Sequence, residues 1–419
     1  MGHIRTAIFT ICARNYLAYA LTLGQSVRET SPDSDFYIFL ADEKLGEEVP
    51  GVNIIDVRSL GLKDFASQTF RYTVMEFSTA IKPSCFKHLF EKLGYDAAIY
   101  LDPDIQLFAP LKAVKDAFGA GACFALTPHL LAPLEDGEIP SDIDILRSGT
   151  FNLGFAAARD CDEARRFLDW WEEMLRQYCY NDLQNGLFVD QKFAEFAPSF
   201  LPNLKTIYDP GYNVAYWNLL NRPVKRDADE WTAAGAPLTF FHFSGVVPGN
   251  GSIFSKHQSR FTMENCGEAS VLVRHYLEKL EQNGHTKWSR ISYGFGSFED
   301  GTPIPDVVRR SPPLGEPPER WAKSYDAAYW NAPSDDVDQA GGAEISRLMF
   351  DIYQSRPDLQ AEFPLSAAWG RHKFHDWFIV HGVTEYRLEE AHLRPAQGGR
   401  SRLRSKAKML VARLRLRFS

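Results

Sequence analysis

The apolar positions fall into short blocks that alternate between two periods. Thr6–Cys12 (TAIFTIC) is a compact β-rich run and predicts a buried first strand. Leu17, Leu21 and Val27 recur at helical spacing, so residues 15–29 predict a helix. Asp35–Ala41 and Val52–Val57 predict the next two strands, and Pro83–Leu93 a helix. Asp96–Leu101, Ala122–Leu126 and Phe151–Ala158 predict further strands, and Glu163–Tyr178 a helix. Leu238–Phe243 (LTFFHF) is a late, very apolar strand. Strands alternating with helices predict an α/β fold, with a mostly parallel sheet covered on both faces.

The texture changes near residue 285. Residues 1–285 read as the α/β domain and 286–320 as a Pro-rich connector. Residues 321–395 read as a smaller, mainly helical appendage, and 396–419 as a basic amphipathic tail.

Composition narrows the class. At 45% hydrophobic and 24% charged, the 419 residues exclude collagen, coiled coil and wholesale disorder. The net charge of −8 is uneven. Residues 400–419 hold eight of the 46 Lys and Arg and no acid, so the remainder carries −16. An acidic body argues against a nucleic-acid partner. The six cysteines form no Cys-x-x-Cys pair, which argues against a zinc knuckle and for reduced core residues. The first 20 residues lack the order of regions of a signal peptide. No run reaches the ~18–20 apolar residues that cross a bilayer. The expected location is cytoplasmic.

The chemistry concentrates in three places. Ile99–Phe108 (IYLDPDIQLF) ends an apolar strand on Asp102 and Asp104. Ligands of parallel sheets bind at the carboxyl ends of strands. Two carboxylates there can share Mn²⁺ or Mg²⁺ and leave room for phosphate oxygens. The bland alternative is an ordinary Asp-Pro-Asp turn. An aspartate-nucleophile phosphatase would carry Thr or Val where Gln106 stands, which argues against that class. Phe240–Gly245 (FFHFSG) offers His242 as a third ligand, and Gly245 as a point of close backbone approach to a diphosphate. The bland alternative is a hydrogen-bonded core histidine. Asn152, Asp190 and Gln191 are polar residues inside apolar runs. Such groups need partners when buried, and sugar hydroxyls would serve; Asp190 as a helix cap is the alternative. Lys82 precedes Pro83 at a helix start, within reach of a diphosphate.

In this order the motifs resemble metal-dependent nucleotide-sugar glycosyltransferases of the GT-A fold. They are Thr10–Asn15, Ala80–Pro83, Tyr100–Asp104, Phe151–Gly154, Asp190–Gln191 and His242–Gly245. They are most similar to the glycogenin and bacterial lipopolysaccharide galactosyltransferase group, which retains anomeric configuration. The resemblance spans roughly residues 4–260. It implies that Asp102, Asp104 and His242 hold Mn²⁺ or Mg²⁺ with the donor diphosphate, and that Lys82 contacts the phosphates. It also implies that a loop including Thr10, Cys12, Arg14 and Asn15 holds base and ribose. Asn152, Asp190 and Gln191 would line the sugar and acceptor side. The group's Lys-Pro-Trp after His-x-x-Gly is missing; Val246-Val-Pro-Gly stands there, and Lys256 is the expected substitute.

The expected activity is sugar transfer from a nucleotide diphosphate, read as a UDP-sugar, to a glycan or lipid-linked glycan. If configuration inverts, Asp190 is the candidate base. The competing reading is a non-catalytic subunit that binds glycans or nucleotide sugars. A nucleotidyltransferase would carry glycines where Ala13-Arg14-Asn15 stands. The tail 400–419 alternates bases with Leu, Val, Met and Phe, which suits an anionic membrane surface. A solvated or disordered tail and a nucleic-acid arm are the alternatives.

Overall fold

The computed structural model describes residues 4–228, 230–310 and 327–393. The chain divides into two compact units: Met1–Lys63 with Val74–Tyr293, and Asp64–Thr73 with Gly294–Ser419.

The first unit is built on a seven-stranded sheet. Its strands are β1 (Thr6–Cys12), β2 (Asp35–Leu40), β3 (Asn53–Asp56) and β4 (Ala97–Leu101). A short β5 (Ile105–Leu107) stands outside it. The sheet continues with β6 (Phe124–Pro128), β7 (Phe151–Arg159) and β8 (Leu204–Thr206). The spatial order is β8-β6-β7-β4-β1-β2-β3. Every pairing is parallel except those of β7, which runs against both β4 and β6. The mostly parallel α/β sheet expected from the sequence is therefore observed, and its apolar blocks explain it. β4 is buried throughout, and β7 from Phe151 to Ala158. Continuous apolar strands need cover on both faces.

Helix α1 (Leu17–Thr30) follows a single turn at Arg14–Tyr16 and buries Leu17, Leu23 and Val27. Helix α2 (Lys82–Glu91) starts with Pro83 in its first turn, where a missing N–H costs nothing. Helix α3 (Asp162–Tyr178) buries Phe167, Leu168, Trp171 and Leu175 at helical spacing.

The late strand behaves differently from its neighbours. Within Leu238–Phe243 only Phe240–His242 is regular strand (β11 below), and it does not join the main sheet. Between β8 and this strand lie β9 (Val224–Asp227) and β10 (Glu230–Ala233). Strand β11 pairs antiparallel with β5, setting His242 opposite Ile105. Helix α4 (Ala269–Gln282) follows, and Trp288 completes the core of this unit.

The second unit has its own core, including Phe70, Trp330, Leu348, Ile352, Phe363 and Phe374. It contains helices Phe65–Arg71, Arg347–Gln354 and Ala368–Trp377. A mainly helical C-terminal region is thus observed. Residues 64–73 belong to it, which no sequence signal announced. The segment 286–320, read as extended connector, begins inside the helical turn His285–Trp288 and includes the helix Asp306–Arg310. The tail read as 396–419 lies outside the described residues. Among the described residues no helix is long and apolar enough to cross a membrane.

Candidate active site

The strand ends bring the candidates together. β4 finishes at Leu101, and the turn Asp102–Asp104 leads into β5. The Asp102 N–H donates to Gly154 O at 2.8 Å, and the Ile105 N–H to Asp102 O at 3.1 Å. These bonds fix the turn. On the facing strand, the Phe243 N–H donates to Asp104 O at 2.8 Å, which locks β11 beside it. Because β7 runs opposite to its neighbours, its beginning lies at their carboxyl ends. Asn152 is therefore delivered to the same edge as Asp102.

His242 Nε2 lies 3.0 Å from Asp104 Oδ1 and 3.6 Å from Asp102 Oδ2. The three ligand atoms lie within 4.8 Å of one another. Among the described residues this is the one such group of His, Cys, Asp and Glu. Burial acts most strongly on the His242 imidazolium and disfavours it, but the charges of Asp104 and Asp102 and the Asp104 hydrogen bond outweigh it and raise the pKa. Burial raises the Asp102 carboxyl, opposed by Lys82 and His242. Two carboxylate oxygens and one imidazole nitrogen suit Mn²⁺ or Mg²⁺. The carboxylates keep partial exposure, at 28% and 20%, while His242 is buried. One side of the cluster is thus open to a ligand.

Gly154 makes this packing possible. A Cβ there would stand 2.5 Å from His242 Cε1 and 2.8 Å from Asn152 Oδ1. Gly154→Ala is expected to push the imidazole aside and weaken Mn²⁺ binding at least ~10-fold, the scale of losing ligand orientation. Manganese titration by electron paramagnetic resonance measures this; unchanged affinity would count against the cluster as a metal site.

Lys82 is nearly fully buried and pairs with Asp190 through its Nζ, which also donates to Leu153 O at 2.8 Å. The same Nζ sits 4.1 Å from the centre of the Tyr100 ring, and the Tyr100 hydroxyl donates to Asp102 Oδ1. A chain of contacts therefore runs Asp190, Lys82, Tyr100, Asp102. The structure gives Lys82 an aspartate partner, where the sequence suggested a phosphate. Asp190 is not a helix cap; burial raises its pKa and Lys82 opposes this. Gln191 accepts from the Leu153 N–H at 3.1 Å and donates to Ser148 O at 3.0 Å.

Asn152 is the centre of a buried polar network. Its Oδ1 accepts from Asn213 Nδ2 at 3.0 Å, and its Nδ2 lies 3.0 Å from His129 Nε2. Asn213 also donates to Thr127 Oγ1 at 2.9 Å. The Trp217 ring stands edge-on to both His129 and His242, at 5.3 and 5.2 Å. Burial pushes the His129 imidazole down to about 3. It is neutral in the folded protein at pH 7, while the unfolded chain titrates near 6.5. The unfolded state then binds the extra proton, so stability is lost as pH falls from about 6.5 toward 3. His129→Asn is expected to flatten that part of the stability–pH curve, measured by urea unfolding at several pH values.

The segment expected to hold base and ribose agrees less well with the sequence reading. Thr10–Asn15 is not one loop: β1 runs through Cys12, and the Thr10 and Cys12 side chains are buried. Burial and Asp42 push the Cys12 thiol up. Arg14 pairs with Asp42 at 3.2 Å and donates to Ser292 O at 3.0 Å. Asn15 is half-buried. Sequence reasoning passed over Tyr16, which is 43% exposed and stacks on Tyr19 at 4.5 Å. Its hydroxyl is raised by burial and by the charges of Asp104 and Asp102. Gly245 has φ +74°, and a Cβ there would collide with Ser255 and His257. The close approach it permits is thus made by this chain's own 255–257 segment. Lys256 is exposed, and its N–H is tied to Gly245 O at 2.9 Å.

No family model matches the chain. Two uncharacterised proteins of Bacillus subtilis (strain 168) are similar in sequence. YfnF is 25% identical over 261 residues, 57% of this chain and 81% of its own. YfnD is 26% identical over 248 residues, 57% of this chain and 77% of its own. Solved glycosyltransferases are similar to the chain at lower identity. The galactosyltransferase LgtC, in complex with donor and acceptor sugar analogs, is 14% identical, with a TM-score of 0.40 over 66% of this chain and 95% of that one. A glycosyltransferase involved in glycosylating the major capsid of PBCV-1 is 11% identical, with a TM-score of 0.35 over 65% and 98%.

Proposed function

We propose that the chain is a glycosyltransferase that moves a sugar from a nucleotide diphosphate, read as a UDP-sugar, to a glycan or lipid-linked glycan. The observation that carries this is the Asp102–Asp104–His242 cluster at the carboxyl edge of the sheet, beside a buried polar network on Asn152. A divalent cation held there would neutralise charge on a departing diphosphate.

The chain's own residues account for the remaining tasks. The exposed ring of Tyr16, stacked on Tyr19 just after β1, offers a surface for a nucleobase. Tyr100 steadies Asp102 through its hydroxyl. His129 and Asn213 hold Asn152 in one orientation, and Leu153 and Ser148 hold Gln191. Oriented amides recognise sugar hydroxyls with little reorganisation. Asp190 is committed to Lys82, so it is poorly suited to act as a free base. This supports retention through departure and attack on one face of the sugar.

The test is release of UDP from a panel of UDP-sugars, with and without Mn²⁺ and glycan acceptors. Metal-dependent release from one donor, increased by acceptor, is expected. Tight donor binding with no release under any condition would favour the binding-subunit reading.

A further inference from the structure

A second cavity lies on the other side of the β5–β11 ribbon. Strand side chains alternate between faces. Ile105 and Leu107 enter the core shared with the main sheet, so Gln106 and Phe108 face away from it. There they line a cavity of about 540 Å³ with Trp231 of β10 and His275, Glu278 and Gln282 of α4. This lies within the ~300–1,000 Å³ of small-molecule sites.

The lining has a definite chemistry. Gln106 is more than nine-tenths buried, and its amide makes no hydrogen bond among the described residues. Its amide reaches the cavity, so a donor and an acceptor stand ready there for a ligand hydroxyl. Trp231 contributes an indole ring to the wall, and the Arg226 guanidinium lies 5.6 Å from the centre of that ring. His275, Glu278 and Gln282 add planar donors and acceptors. Glu29 and Lys279 face each other at 3.9 Å within the lining, so the two charges offset. A wall with mixed charge suits neither a phosphate nor nucleic acid. With Phe108 and Leu272 as its principal aliphatic and phenyl surface, it also suits an acyl chain poorly.

We propose that this cavity is a second carbohydrate site, distinct from the proposed active site, which holds a remote segment of an oligosaccharide. Trp231 is the stacking platform. Gln106, His275 and Glu278 bind hydroxyls. The choice of an oligosaccharide rests on the proposed function, while binding at this cavity itself requires no turnover and no metal.

The test uses the full chain carrying 5-fluorotryptophan, with the Trp231 resonance assigned by Trp231→Phe. Neutral and acidic tetrasaccharides are titrated with UDP and Mn²⁺ saturating. At least one is expected to shift the Trp231 resonance, and His275→Ala, on the exposed face of α4, is expected to weaken that binding severalfold. Trp231→Ala is expected to weaken it more than ~10-fold, as for an aromatic anchor. A Trp231 resonance that moves with no tetrasaccharide overturns the proposal, as does binding that neither substitution weakens. Repeating the titration with Asp104→Asn keeps the two readings separable. Binding there must persist even though transfer is lost.

Discussion

Asp104→Asn is expected to lower kcat/KM for sugar transfer about 10³-fold and to abolish metal-dependent donor binding. Asp104 Oδ1 is the carboxylate oxygen within 3.0 Å of His242 Nε2. The amide keeps the shape and removes the charge. A bound cation supplies several kcal/mol of stabilisation to developing charge, and each 1.36 kcal/mol is tenfold in rate. The backbone explains why the change stays local. The Asp104 carbonyl, which an Asn preserves, is what receives the Phe243 N–H and holds β11 in register. The variant should therefore fold with the parent's circular dichroism and melting temperature. Activity within tenfold of the parent, in protein so verified, would remove Asp104 from the site.

Lys82→Met is expected to destabilise the first unit by about 3–5 kcal/mol, the cost of stranding a buried charge. Both partners are buried, and the pair spans α2 and the segment after Phe188. Without Lys82, Asp190 loses the charge that opposes burial, so its pKa rises further. The melting temperature should fall by roughly 10 °C, at ~2–4 °C per kcal/mol for a unit of this size. Lys82→Met with Asp190→Leu should recover much of the loss, because two apolar side chains leave no stranded charge. Calorimetric scans of the single and double variants measure both. A single variant that melts with the parent would show that the pair carries little energy. A double variant no better than the single one would show that packing, not charge, was lost.

The sheet was legible because its strands are unbroken apolar blocks. Burial on both faces requires such blocks, and few other structures tolerate them. The acidic pair was legible because it follows such a block at once. His242 was legible for the same reason, although its strand pairs with β5 and not with the main sheet. Spacing gave Lys82 its reach but not its partner. Asp190 lies 108 residues away, and only the fold decides which anion meets the cation. Thr10 and Cys12 were read as loop residues because the end of β1 and the turn after it share one motif. His129 and Asn213 went unnoticed. For His129 a signal existed, since Thr127-Pro128-His129 ends β6 at the same sheet edge as Asp102. Asn213 adopts φ +55°, which Asn tolerates better than most residues, but no local pattern marks the position. Residues 64–73 pack with a core drawn largely from beyond residue 293, and a local reading cannot assign them.

The proposed function requires that the Asp102–Asp104–His242 cluster bind a divalent cation together with a nucleotide diphosphate. Calorimetric titration of UDP and GDP into the folded protein, with Mn²⁺ and then with chelator, tests it most directly. One nucleotide is expected to bind with Mn²⁺, and its binding to fall at least ~10-fold with chelator, as when a charge-neutralising partner is removed. Equal binding with and without the cation, or no binding of either nucleotide to folded protein, would contradict it.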